Sequence, residues 1–240
     1  MKTEYRLIAF DLDGTLTLHH SPLCPTVRSL LDRLRDRYAL LLVSAAPCAR
    51  AISQTGDYPI DILGNYGMER SLLDPKTGKR LPTESLCMPV DTPHLSATLN
   101  ALREKHGFTA VRGDALFVQP TGLVALPFLG MDAPIAEKRA FDPTRTRRRA
   151  FFEDVKGLFP DCSVFLCGSS SLDIVPHPHD KYRALSDYCR AHGIDERNVL
   201  YCGDEWCDGG NDEPVFRSAI RCLAVHSPNE LEALLSPLLQ

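Results

Sequence analysis

No stretch of this chain approaches the roughly 18 consecutive apolar residues of a membrane-crossing helix. A span is therefore not expected. An excess of positive charge is missing too: the formal net charge is −4 over 240 residues, which gives no general pull toward nucleic acid or an anionic membrane surface. The start, Met1-Lys2-Thr3-Glu4-Tyr5-Arg6, has no long apolar core and no small-residue cleavage site, so no signal peptide is expected. The nine cysteines have no ligand-like pairing; Cys202 and Cys207, for example, flank acidic residues without a CxxC spacing. A disulfide framework is thereby disfavoured, and a reducing, cytoplasmic compartment is expected, with cysteines acting as small core residues. Internal repeats and low-complexity tracts are absent as well.

What is present alternates. Leu7-Ile8-Ala9-Phe10 is a short continuous apolar run, as in a strand buried on both faces of a parallel sheet. Leu30, Leu31 and Leu34 give Val27 to Arg37 a helical pattern, Ala39 to Val43 is a second apolar strand, and Asp61 to Asn65 a third. This strand–helix grammar predicts a doubly wound α/β sheet. It returns after residue 176, with a helix over Lys181–His192, strands over Val199–Cys202 and Ile220–Val225, and a terminal helix over Pro228–Leu235. Between them lies a mixture of short strands with helices over Ser96–His106 and within Phe141–Phe159. The expected organisation is a discontinuous core domain, 1–82 and 176–240, with an α+β cap inserted over 83–175.

In an open α/β sheet, ligands bind beyond the carboxyl ends of the strands. Polar clusters fall at those ends. Asp11 and Asp13 follow the first strand, Ser44 follows the second, and Gly203-Asp204, with Asp208, Asn211 and Asp212 behind it, follows Val199–Cys202. Lys181 opens a helix after the insertion. Phosphoryl transfer suits that set. Carboxylate oxygens at a strand end can hold Mg²⁺, which screens an anionic nucleophile from an anionic phosphate. One aspartate can attack phosphorus, and a second can protonate the leaving oxygen. A serine hydroxyl and a lysine can grip phosphate oxygens, and Gly14 lets the backbone come close.

Single elements have bland alternatives. A DxD pair also occurs in turns and calcium loops, Ser44 could cap a helix, and Asp208 could belong to a solvated loop. His177 and His179, alternating with Pro176 and Pro178, fit a rigid loop better than a metal pair. The basic run Arg145, Arg147, Arg148, Arg149 reads as a solvated helix face, or as a cap surface toward an anionic substrate. Trp206 lines an entrance or merely packs.

The string Asp11-Leu12-Asp13-Gly14-Thr15 resembles the signature of the haloacid dehalogenase superfamily of phosphotransferases, and Ser44, Lys181 and Gly203-Asp204 through Gly210-Asn211-Asp212 follow in that family's order. The resemblance implies a Rossmann-like core with Asp11 as nucleophile and Asp13 as general acid/base. Ser44, Lys181 and Gly14 would bind phosphate. Mg²⁺ would be held by Asp11, Asp204 and Asp212, with a backbone carbonyl of the Leu12–Asp13 turn, and Asn211 would support that group. The α+β insertion between the serine and lysine motifs resembles the cap of the Cof-like and phosphomannomutase-like branch, subfamily IIB. Ser171-Leu172-Asp173-Ile174-Val175-Pro176 ahead of Asp180-Lys181 is similar to eukaryotic-type phosphomannomutases, and Ser171 and Asp173 would touch substrate hydroxyls. Asn65-Tyr66-Gly67-Met68-Glu69 resembles sugar-phosphate phosphatases. Met131 stands where the mutases' cap arginine is expected, and Leu166-Cys167-Gly168 lacks another. The expected activity is a Mg²⁺-dependent phosphatase acting on a small phosphate ester, most simply a sugar phosphate, through an aspartyl-phosphate. A hexose phosphate mutase is the alternative, and a non-catalytic phosphate-ligand binding protein a third reading.

Overall fold

The apolar run at Leu7–Phe10 (β1) is the middle one of the five parallel strands in a seven-stranded sheet, and all four of its residues are buried. A computed structural model describes residues 4–240; Met1–Thr3, where the leader was sought, lie outside the described residues. Ala39–Val43 (β2) lies beside β1 in parallel, and Val199–Gly203 (β10) flanks it on the other side, also parallel. Asp61–Gly64 (β3) continues the sheet beyond β2, and Arg221–Ala224 (β11) beyond β10. Two short antiparallel strands, Glu69–Ser71 (β4) and Glu84–Ser85 (β5), complete the order β11-β10-β1-β2-β3-β4-β5. Parallel strands need crossovers, and Pro25–Arg35 (α1) and Cys48–Thr55 (α2) supply two of them. Val27, Leu30, Leu31 and Leu34 are the buried stripe of α1, packed with Ile8, Phe10 and Leu42. Lys181–Ala191 (α6) contributes Ala184, Leu185 and Cys189 to a second apolar layer with Leu7, Ala9 and Val43. Glu213–Phe216 (α7) and Leu231–Leu235 (α8) end the chain's helices.

The chain divides into two compact units. The first comprises 1–85, 180–207 and 212–240, and the second 86–179 together with 208–211. The second unit holds a four-stranded antiparallel sheet, ordered β6-β7-β9-β8, from Phe117–Val118 (β6), Val124–Pro127 (β7), Cys162–Cys167 (β8) and Ser171–Pro176 (β9). Thr92–Lys105 (α3), capped by Asp91, and Thr146–Leu158 (α5) bury Leu95, Leu99, Phe151 and Val155 in its core. Phe108, Phe128 and Phe151 meet there edge to face, with centroids 4.8 to 5.9 Å apart. A helix over Ile135–Phe141 (α4) was not expected, because it buries none of its side chains and so leaves no apolar periodicity to read.

The basic run on α5 is not a solvated face throughout. Arg148 is 1% exposed, ion-paired to the equally enclosed Asp142 at 3.2 Å, and its guanidinium also donates to the carbonyls of Cys167, Gly168 and Ser171. Among the described residues no helix is long and apolar enough to cross a membrane, and the nine cysteines are free thiols.

Candidate active site

The central strand ends on a buried carboxylate. Asp11 follows β1 and keeps the ladder going with its N–H on the Cys202 carbonyl at 2.9 Å. Asp204 follows β10, the neighbouring strand, and Asp212 follows after the acidic loop. One oxygen from each of these three aspartates lies within 4.8 Å of the others. Lys181, the first residue of α6 behind its N-cap Asp180, is fully buried and bridges two of them: Nζ donates to Asp11 Oδ1 and to Asp212 Oδ1, each at 2.7 Å. Three carboxylates around one ammonium leave an excess of negative charge in a place with little water.

The electrostatics follow. Burial pushes Asp11 well above the usual carboxylate range; Lys181 pulls it back, but the Asp212 and Asp204 charges push the same way as burial. Burial and Asp212 likewise push Asp204 up to about 6 against the pull of Lys181. Burial alone would lower Lys181, yet Asp11 and Asp212 outweigh it and hold the ammonium charged. Asp204 Oδ1 is buried without a hydrogen-bond partner. A nucleophilic Asp11 must be ionised, and an orphaned buried oxygen in an over-negative cluster calls for a cation. An all-oxygen carboxylate set of this kind fits Mg²⁺.

Asp13 is placed differently. Its Oδ1 accepts from Gln54 Nε2 at 2.8 Å and from the His20 N–H at 3.0 Å, and its Oδ2 pairs with Arg50 at 2.7 Å. Burial raises Asp13, but the Arg50 guanidinium and the Gln54 and His20 donors outweigh it and hold the carboxyl below its ordinary value. Gln54 also donates to Thr17 Oγ at 2.6 Å, so one side chain of α2 fixes both ends of the turn. Arg50 and Gln54 were not singled out in the sequence. They sit one helical turn apart, a spacing shared by any solvated helix pair.

Gly14 is required by geometry. Its φ is +92°, and a Cβ there would fall 2.2 Å from Asp204 Oδ2. Thr15 beside it is fully buried, and its hydroxyl has no partner. The Leu12 carbonyl, one of the two backbone oxygens considered for the metal, is turned into the chain instead. It accepts from the Leu16 N–H at 3.0 Å, the Thr17 N–H at 2.9 Å and the Thr17 hydroxyl at 3.3 Å, so no lone pair is left for a cation. That leaves the Asp13 carbonyl as the backbone candidate.

Ser44 follows directly on β2, one strand over from Asp11, and is buried, with Oγ accepting from the Ala46 N–H at 3.0 Å. Its carbonyl accepts from the Tyr66 N–H at 3.1 Å, and Ala46 accepts from the Asn65 N–H at 2.9 Å. Asn65 and Tyr66 both have positive φ, +47° and +57°, in the segment noted for its resemblance to sugar-phosphate phosphatases. Two non-glycine residues in the left-handed region cost about 1–3 kcal/mol each, and here they buttress the Ser44 loop.

The remaining candidates belong to the second unit. Ser171 and Asp173 lie two apart on β9 and share a face, and Asp173 Oδ2 accepts from the Cys167 thiol at 3.2 Å. Asn211 falls in that unit too, its amide 3.7 Å from Cys167 Sγ, whereas Asp212 falls in the first. One partner of the cluster escaped the sequence altogether: Tyr201, in mid-β10, whose hydroxyl donates to Asp212 Oδ1 at 2.5 Å. In an apolar strand a tyrosine reads simply as core.

The family model for sucrose-6F-phosphate phosphohydrolase matches residues 156–239. The phosphomannomutase of Saccharomyces cerevisiae is 25% identical over 219 residues, covering 88% of this chain and 84% of the relative. The Drosophila melanogaster phosphomannomutase is 23% identical and covers 100% of this chain and 98% of its own length. Among solved structures, the IMP-nucleotidase of Plasmodium falciparum superposes with a TM-score of 0.67 at 16% identity, covering 97% of this chain and 68% of that one. A haloacid dehalogenase-like hydrolase from Bacteroides thetaiotaomicron gives 0.57 at 15% identity, covering 98% and 100%. At such identities the structural likeness speaks for the fold.

Proposed function

We propose, for a chain that belongs to the haloacid dehalogenase superfamily and to its phosphomannomutase-like branch, the function of a phosphotransferase acting on a small sugar phosphate, with Asp11 as the group that receives the phosphoryl. One observation carries it: Asp11, Asp204 and Asp212 converge at the carboxyl end of the central parallel strand, with Lys181 bridging Asp11 and Asp212 and one buried oxygen of Asp204 left unpartnered. Asp11, Asp204 and Asp212 would hold Mg²⁺, whose charge offsets that of the carboxylates and the phosphate. Asp11 attacks phosphorus, the P–O bond to the sugar breaks, and its electron pair stays on the leaving oxygen. Asp13, held ionised here by Arg50, would have to part from Arg50, take up a proton from solvent and turn to the site before giving that proton to the leaving oxygen. Ser44, Gly14 and Lys181 hold the non-bridging oxygens. The aspartyl-phosphate then passes its phosphoryl group to a hydroxyl from which Asp13 takes the proton.

The acceptor separates two readings. Phosphomannomutases matching over most of their length support a sugar hydroxyl as acceptor, and the mutase is the leading reading. Met131, 47% exposed where the branch's arginine is expected, favours water and hence a phosphatase, as does the phosphohydrolase family over 156–239. The free thiols fit the cytoplasm.

The test is ³¹P NMR of mannose and glucose 1-phosphates with Mg²⁺, with and without a hexose 1,6-bisphosphate, alongside Asp11→Asn. Interconversion of 1- and 6-phosphates that needs the bisphosphate and Asp11 supports the mutase. Inorganic phosphate release with the same dependence supports the phosphatase. Turnover that survives Asp11→Asn sinks both.

A further inference from the structure

Tyr201 lies in the middle of β10, fully buried among Leu7, Ala9, Leu41, Val43 and Val199. A phenylalanine would pack in that layer as well, and a buried hydroxyl without an acceptor would only cost desolvation. The hydroxyl has an acceptor, Asp212 Oδ1 at 2.5 Å. The same oxygen accepts from Lys181 Nζ at 2.7 Å, while Asp212 Oδ2 accepts from the Glu205 N–H at 2.9 Å. Each carboxylate oxygen offers two lone-pair sites. Oδ1 is therefore filled, and Oδ2 keeps one open.

Gly203, two residues along the same face of β10, makes this arrangement possible. A Cβ there would stand 2.6 Å from Asp212 Oδ2 and 2.8 Å from Tyr201 Cε1. The missing side chain leaves the space in which ring and carboxylate meet. Lys181 cannot orient Asp212 alone, because its ammonium is shared with Asp11 Oδ1 and is also the group expected to grip phosphate. Tyr201 is the second donor on Asp212 Oδ1, and only together do the two fill that oxygen.

We propose that Tyr201 is a positioning residue for the cation: its hydroxyl fills Oδ1 of Asp212 and so reserves Oδ2 for a divalent ion. The proposal rests on the reading of Asp11, Asp204 and Asp212 as the Mg²⁺ cluster, and it is independent of whether sugar or water accepts the phosphoryl group. Removing a partner of this kind from a metal ligand typically lowers affinity by about 10- to 100-fold.

The experiment is Mg²⁺ titration of the full chain, without substrate, by calorimetry and by the Mg²⁺-induced shift in Tm. Tyr201→Phe should weaken the apparent Kd for Mg²⁺ by about 10-fold or more. Phe216→Leu is the packing control, since Phe216 meets the Tyr201 ring edge to face at 6.3 Å. It should lower Tm equally with and without Mg²⁺ and leave Kd within about twofold. A Tyr201→Phe variant that binds Mg²⁺ as the wild type does overturns the proposal and leaves the metal reading standing. An equal loss of affinity in Phe216→Leu also overturns it, because ring packing and not the hydroxyl would then set the site. A wild-type chain that binds no Mg²⁺ by either readout overturns the metal reading, and the proposal falls with it.

Discussion

Both units bury charge, and they do so to opposite effect. In the second unit, Arg103 is 3% exposed and faces no carboxylate. Its guanidinium donates to the carbonyls of Phe108, Ala115, Pro127 and Phe128 at 2.7 to 3.4 Å, and burial pulls it down to about 10. Arg148 is paired with Asp142 and three carbonyls. Both cations tie loops to strands. In the first unit, Lys181 is outnumbered by carboxylates, and Asp204 keeps an unpartnered oxygen. What distinguishes the two is the balance of charge: Arg103, with Nε unpartnered, sits among neutral carbonyls and Arg148 is matched by one carboxylate, whereas the first unit gathers three carboxylates about one ammonium.

The sharpest way to break that comparison is Arg148→Met, which strands Asp142 in the core of the second unit. It should cost about 3–5 kcal/mol in urea unfolding, and Arg148→Met with Asp142→Leu should recover much of it. A loss under about 1 kcal/mol would mean the pair is solvated in solution. Next comes Gly14→Ala, which forces a Cβ onto Asp204 Oδ2 at a φ of +92°. Turnover should fall by about 10²-fold through displacement of the cluster, and unchanged kcat/KM would remove Gly14 from the site.

A third effect is electrostatic. Asp204 has a folded-state value near 6 against an ordinary 3.8, so the folded chain binds its proton more tightly than the unfolded one. Asp11 is raised in the same direction. With a chelator present, Asp204 makes stability fall as pH rises from about 4 to about 6, the loss persists above, and Asp11 acts in the same direction. Mg²⁺ offsets the exposed repulsion, so its increment in Tm should be larger at about pH 7 than at about pH 5. An increment that ignores pH would argue against a carboxylate site. The smallest effect is expected at Arg33, whose pair with Glu232 is about half exposed on both sides. Arg33→Ala should change stability by less than about 1 kcal/mol, fading with salt.

The parts legible in the sequence are those where one residue type serves one local rule. Leu7–Phe10 reads as a doubly buried strand, and it is one. Lys181, on a helix starting directly behind Asp180, lies within reach of Asp11, 170 residues away, because the parallel topology returns β10 beside β1. The parts that stayed hidden depend on pairing across long separations. Tyr201 looks like core until Asp212 is folded against it, and Arg148 looks like surface until Asp142 is. The Leu12 carbonyl was misplaced because a tight turn can send a carbonyl either outward or back onto its own N–H groups, and sequence does not say which. Here Leu16 and Thr17 take it.

The cysteines, left aside so far as mere filling, make the chain its own clock for opening. Cys48 and Cys189 are buried in the first unit, with burial pushing both thiols up to about 12, so neither reacts while its surroundings stay closed. Cys202 is enclosed in the apolar layer of Ile8, Phe10 and Leu42, whereas Cys162 reports from the half-buried edge strand of the second unit. Cys87 and Cys207 are exposed and label at once, setting the zero of time. The order in which a small alkylating reagent reaches the others ranks the local opening of each layer, in the wild-type chain and without a probe attached.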